Sequence, residues 1–202
     1  MLLNTSEIVN ALNGIEINGV LHIGAHDCQE LPFYVNELHV RPDNIVWIDA
    51  LKSKCVNGVY HATISDKDDQ EVSFNISNNE QSSSILDFKT HLIQHPGVVF
   101  VDYIIQKTIT IDTFMDRNGL DPSVYSFWNF DIQGAELLAL KGADESIKYA
   151  KAIYLEVNAA ELYKDCALIH EIDDFLKARG FKRVLTSMTG YGWGDALYLR
   201  DS

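Results

Sequence analysis

The sequence predicts an α/β fold: one domain, residues 1–202, on a mostly parallel sheet flanked by helices, with an antiparallel strand at its end. Short apolar runs of strand length alternate with segments of helical period, which is the pattern of a parallel sheet. The last two strands, 181–187 and 196–200, are joined by a turn carrying Gly190, Gly192 and Gly194. With no helix between them, one of the two must run antiparallel. A hydrophobic fraction of 47% supplies the core.

The elements follow in order. Residues 6–12 put Ile8, Val9 and Leu12 on one helical face, and Asn13-Gly14 stops the helix. Residues 19–24 are a buried strand ending at Gly24. Residues 30–38 are helical, with Pro32 tolerated in the first turn. NIVWID (44–49) and GVYHATI (58–64) are further strands, His61 being a core residue of the latter. Residues 71–76 alternate polar and apolar, as a half-exposed strand does. SNNEQSSS (77–84) is either a solvated loop or a mobile loop over a pocket, opening an acceptor-side insertion near 77–111. Residues 85–94 form a helix stopped by Pro96-Gly97. The β-branched stretch 98–111 forms strands, and its part 98–105 is an edge that could pair two copies into a homodimer. A short helix at 112–118 precedes the strand 125–130. Helical segments reach Ala150, the strand 152–157 follows, and an amphipathic helix at 167–178 closes at Gly180.

Composition removes several classes of function. The net charge is −13 with no Lys/Arg cluster, so a phosphate backbone would be repelled and nucleic acid is not the partner. No apolar run reaches the roughly 18 residues of a membrane span. The first residues show no basic region or cleavage pattern, and Cys28, Cys55 and Cys166 are scattered. Both features predict a reducing, cytoplasmic setting without disulfides. His91/His95 and His22/His26 stand four apart but have no third ligand at motif spacing, so no metal site is expected.

Chemistry concentrates at strand ends, where open α/β sheets bind ligands. Asp131 ends the strand 125–130, and Glu136 stands just inside the next helix. In His22-Ile23-Gly24-Ala25-His26-Asp27-Cys28 a single glycine replaces the G-x-G-x-x-G of dinucleotide turns, so the turn suits a nucleoside without phosphates. Asp49 ends the second strand 25 residues after Gly24, where a carboxylate reads ribose hydroxyls or caps a following helix. Ile64-Ser65-Asp66 ends the third strand, or is simply a turn. Glu156 ends the strand 152–157, and with Asn158 it faces the ligand crevice or caps the next segment. Trp193, flanked by glycines, stacks on a sugar ring or seals the sheet edge.

DIQGAELLALKGA (131–143) resembles the Asp-x-Glu/Gln-Gly-x-Glu and Leu-Lys-Gly-Ala elements of FkbM-type methyltransferases. The similarity runs from about Gly19 to Arg200. It implies the Rossmann-like class I methyltransferase fold, a seven-stranded mostly parallel sheet with an antiparallel C-terminal strand, and S-adenosylmethionine as cofactor. It implies that His22, Gly24, His26 and Asp27 line the methionine end. Asp49 and Ala50 would hold the ribose, Ile64 and Ser65 the adenine, and Asp131 the reacting end. Two positions depart from the pattern: His22 stands where an acid is usual, and Cys28 where a glycine is usual. Leu162-Tyr163 fits the element after Glu156, and Trp193 with Asp195 fits a C-terminal turn. Tyr163 and Asp195 thereby join Asn158 and Trp193 on the acceptor side. The expected activity is O-methylation of a glycan or secondary metabolite, with Asp131, Glu156 and His26 as candidates for proton transfer. A nicotinamide-dependent oxidoreductase and a non-catalytic binding module on the same fold are the alternatives.

Overall fold

A computed structural model describes residues 1–54 and 58–201. Its strands are β1 (Val20–Ile23), β2 (Ile45–Asp49), β3 (Val59–His61), β4 (Thr63–Ile64), β5 (Glu71–Ser77), β6 (Phe100–Ile109), β7 (Phe127–Phe130), β8 (Ala152–Asn158), β9 (Phe181–Met188) and β10 (Trp193–Arg200). The α-helices are α1 (Thr5–Ala11), α2 (His91–Gln94), α3 (Ile111–Arg117), α4 (Glu136–Lys141) and α5 (Ile169–Lys177). Seven strands form one sheet in the order β3-β2-β1-β7-β8-β10-β9. Its pairs are parallel except that β10 is antiparallel to both neighbours.

Every residue of β1, β2, β7 and β8 is buried, because helices cover both faces. Ile111, Phe114, Leu140, Ile172 and Leu176 pack one face, while Ile8, Phe33 and Tyr34 pack the other. Each large side chain removed from water contributes roughly 1.5–3 kcal/mol. The chain winds from β1 toward β3 on one side and from β7 toward β9 on the other. The strand order therefore reverses between β1 and β7, which is where such sheets open a ligand crevice.

Several elements differ from the sequence reading. The run 58–64 breaks at Ala62: β3 joins the large sheet, whereas β4 pairs with the end of β6 in a second sheet of order β4-β6-β5. His61 is exposed and bonds Ala50 O through Nε2 at 3.1 Å, so it is not a core histidine. The segment after Pro32 is a π-helix, Phe33–Glu37. Residues 85–90 are not helical, since Phe88 forms a β-bridge with Tyr163 instead. The stretch 98–105 does keep an open edge: β5 pairs with β6 from Phe100 to Lys107 on one side, while β4 meets β6 only at Thr108 and Ile109, so among the described residues no strand pairs with the other side of 100–107. Trp193 and Gly194 belong to β10 rather than to the preceding turn.

Candidate active site

A cavity of about 430 Å³ opens at the carboxyl ends of β1, β2 and β7. Of the sequence-predicted residues, His22, Gly24, His26, Asp49, Ala50, Ile64, Asp131, Glu156, Tyr163, Trp193 and Asp195 line it. Three do not. Asp27 turns outward to Lys54 Nζ at 3.1 Å. Ser65 is drawn to the small sheet by its amide bond to Ile109 O, 3.1 Å. Asn158 is buried beyond the cavity wall, paired with Trp193 across β8 and β10.

Backbone geometry shapes the floor. Gly24 has φ +90°, and a Cβ there would lie 1.9 Å from the Asp131 carbonyl oxygen. The ends of β1 and β7 thus meet at van der Waals contact with no room for a side chain. Gly142 serves a second close approach, since its Cβ would fall 2.2 Å from Ser65 O. That explains the glycine of the Lys-Gly-Ala element as packing. Asp49 accepts the His26 amide at 2.8 Å and the Leu51 amide at 2.7 Å, so it caps the turn after β2 and pins the turn after β1 while facing the cavity. Cys55, at the end of the helix expected after Asp49, lies outside the described residues.

His22 is buried, and burial lowers its pKa to about 3. The imidazole is therefore neutral, and it lies 3.0 Å from the Tyr34 hydroxyl, which also accepts Asn129 Nδ2 at 2.6 Å. Where an acid is usual, this chain places a neutral ring. His26 Nδ1 lies 3.0 Å from Asp27 Oδ2 outside hydrogen-bonding geometry, and both ring nitrogens lack a hydrogen-bond partner among the described residues.

The carboxylates gather on the other wall. Asp131 retains solvent access in the cavity, yet the surrounding protein raises its pKa to about 6. Glu156 is buried beside Asp131, Glu136 and Asp195, and burial first, then these like charges, push it well above the carboxylate range. Asp195 accepts the Tyr154 hydroxyl and the Leu2 amide. Glu136 is buried to 2% exposure and accepts the Ile132 and Gly134 amides at 3.1 and 3.2 Å, so it staples the turn before α4. Burial raises it to about 7.

Glu136 yields a signed test. Its folded pKa lies above the ordinary carboxyl value, so the native state binds the proton more tightly than the unfolded state. Its contribution is present below about pH 4.5 and is lost as pH rises through about 7. Buried His22 and His91 act in the opposite direction at lower pH, so the difference between variants is the measurement. The melting temperature of Glu136→Gln relative to wild type should rise between pH 5 and 8. A constant difference across that range would refute the assignment.

Sequence reasoning does not reach Gln133 or Lys54, whereas one of its two readings of 77–84 already sets that loop at a pocket, and residues 79–83 line the cavity. Lys54 Nζ reaches Asp27 at 3.1 Å and Glu80 Oε2 at 2.9 Å, tying the loop to the cavity rim. Ser82, Ser83 and Ser84 are buried and the first two line the cavity, so the serine run is part of its wall rather than a solvated loop. Six lining carboxylates (Glu30, Asp49, Glu80, Asp131, Glu156 and Asp195) face a single lysine, Lys54, and no arginine among the described residues. A pyrophosphate would find almost no countercharge there; a cationic ligand would.

Residues 22–183 match the Methyltransferase FkbM domain. The chain belongs to the FkbM methyltransferase family. It is 30% identical over 125 residues to the 2-O-methyltransferase NoeI of Sinorhizobium fredii (strain NBRC 101917 / NGR234), covering 58% of this chain. It spans about half the length (50%) of that curated relative. Among solved structures it is similar to a SAM-dependent methyltransferase from Aquifex aeolicus (TM-score 0.49, 13% identity, 99% of this chain and 91% of that one). It is also similar to magnesium protoporphyrin IX methyltransferase of Synechocystis PCC 6803 (TM-score 0.44, 10% identity, 98% and 78%).

The FkbM family uses S-adenosylmethionine, and the residues present fit that group. The single-glycine turn offers no pyrophosphate cradle, and the acidic wall suits a ligand carrying ammonium and sulfonium charges. His26 keeps two buried ring nitrogens that a polar ligand would satisfy. No group of three or more His, Cys, Asp or Glu side chains among the described residues is arranged to hold a metal ion.

Proposed function

We propose that this FkbM-family protein transfers a methyl group to a hydroxyl oxygen of a small-molecule or glycan acceptor. The observation that carries the reading is the cavity at the β1/β7 switch point. There, an Asp49-pinned turn faces a wall of carboxylates with almost no basic residue. Asp49 and Ala50 hold the ribose. Ile64 stands at the adenine end, and His22, Gly24 and His26 line the methionine end. S-adenosylmethionine, when bound, supplies an electrophilic methyl group on a sulfonium.

Asp131 accepts the proton of the acceptor hydroxyl as its oxygen becomes the nucleophile. A carboxyl raised to about 6 remains mostly ionised at pH 7 while being a stronger base than an ordinary aspartate. Glu156 stands beside Asp131, and burial first, then its acidic neighbours, push its carboxyl well above the ordinary range. Tyr163, Trp193 and Asp195 form the acceptor side. The 2-O-methyltransferase relative supports oxygen as the target. Orienting the two reactants supplies most of the expected acceleration, up to roughly 7–11 kcal/mol.

The test is transfer of isotopically labelled methyl from S-adenosylmethionine to a panel of polyols, sugars and hydroxylated metabolites. An alkali-stable methyl ether is expected. In the same assay Asp49→Ala should require a far higher cofactor concentration, through loss of charge-assisted hydrogen bonds. Methyl transfer only to nitrogen or carboxylate acceptors would overturn the hydroxyl assignment.

A further inference from the structure

Gln133 occupies the turn between β7 and α4 at φ +57°, a left-handed conformation uncommon for a side-chain-bearing residue. Every heteroatom of its side chain is engaged. Nε2 lies 2.6 Å from Asp131 Oδ1 and 3.1 Å from Glu156 Oε2, and Oε1 accepts the Tyr163 hydroxyl at 2.7 Å. A primary amide carries two N–H donors, so each carboxyl receives one. The two carboxyls fix the sense of the amide, since the reversed orientation would set an oxygen against both of them. The main-chain carbonyl of Gln133 accepts from Ser84 Oγ at 2.8 Å, and the Tyr163 hydroxyl also lies 3.2 Å from Ser82 O.

The charged and titratable groups around the pair are nearly all acidic. Asp195 faces it from β10, Glu136 from α4, Glu30 from the segment after β1, and Tyr163 from beyond β8. Among the described residues, the Met1 amino group acts on Asp131 in the opposite sense to these acids. No Lys or Arg among the described residues forms an ion pair with Asp131 or Glu156. The amide of Gln133 is thus the neutral donor between two carboxyls that would otherwise repel.

The geometry points to Gln133 as the positioning residue of this site: its side-chain amide donates to Asp131, links it to Glu156, and joins the pair through Tyr163 to the 77–84 loop, to which its main chain is also tied through Ser84. Hydrogen bonds donated to a carboxylate favour its charged form. Without them the pair must retain a proton to higher pH, and Asp131 is lost as a base at neutrality. The catalytic consequence rests on Asp131 as the proton acceptor; the action of the amide on the pair does not.

The experiment is a carboxyl ¹³C NMR titration from pH 4 to 9 of protein labelled at Asp and Glu side-chain carboxyls. Asp131→Asn and Glu156→Gln assign the two resonances. Gln133→Met removes both donors at similar volume, and both midpoints should move up by about one pH unit or more. Midpoints that stay where they are in wild type would overturn the inference and leave Gln133 a packing residue. Should Gln133→Met fail to fold, Gln133→Asn carries the same test, because it keeps an amide but withdraws it from the carboxyls. In methyl-transfer assays the acidic limb of kcat/KM should move with the NMR midpoints. Midpoints that move while the limb stays would uphold the role of Gln133 and remove Asp131 as the base.

Discussion

Asp131→Asn is expected to lower turnover by at least about 10²-fold while S-adenosylmethionine binds as in wild type. The substitution keeps the volume and one oxygen to accept the Gln133 amide, now 2.6 Å away, so the turn before α4 should survive. What it removes is the charge and the capacity to take a proton. Isothermal titration and initial rates, run on the same preparation, separate the possibilities. If cofactor affinity falls together with turnover, Asp131 holds the methionine ammonium rather than acting as the base. If neither changes, Asp131 only shapes the turn, and Glu156, His26 and Asp195 become the groups to mutate.

Gly24→Ala should be the most damaging single-methyl change in the sheet. The added carbon meets the Asp131 carbonyl oxygen at 1.9 Å and its carbon at 2.7 Å, and both belong to backbone that cannot rotate away. The glycine also sits at φ +90°. The expected loss exceeds about 4 kcal/mol, in the exceptional range for a point mutation. For a chain of this size that corresponds to a fall in melting temperature on the order of 10 °C, or to no folded protein. Gly14→Ala is the control. Gly14 has φ +82° but nothing within 4 Å of its Cβ position, so it reports conformational strain alone, roughly 1–2 kcal/mol. Equal losses in the two variants would show that the contact between β1 and β7 is not tight.

The order of elements and the parallel sheet were legible because buried parallel strands are continuous apolar runs, and β1, β2, β7 and β8 are such runs. The antiparallel last strand followed from the lack of room for a crossover between 187 and 196. The departures fall where a choice depends on distant partners. Nothing local says that Thr63 leaves the line of β3 to pair with Thr108, or that β5 covers the flank of β6. Of the helix expected at 85–94, the part 85–90 is forgone because Phe88 pairs with Tyr163, and only His91–Gln94 is helical.

The site divides in the same way. The sequence alone determined which strands end in carboxylates, that the first turn has a single glycine, and that 131–143 carries the family element. These are properties of neighbours in the chain, written in spacing and residue type. Tertiary structure alone decided that Gln133 reaches both Asp131 and Glu156, and that Lys54 ties Glu80 over the cavity. It also decided that the serine run forms a wall. Apart from the Gln133–Asp131 contact, which the left-handed turn at Gln133 makes locally, these rest on distances between residues far apart in sequence, and on burial that shifts a carboxyl only once the surrounding strands have assembled.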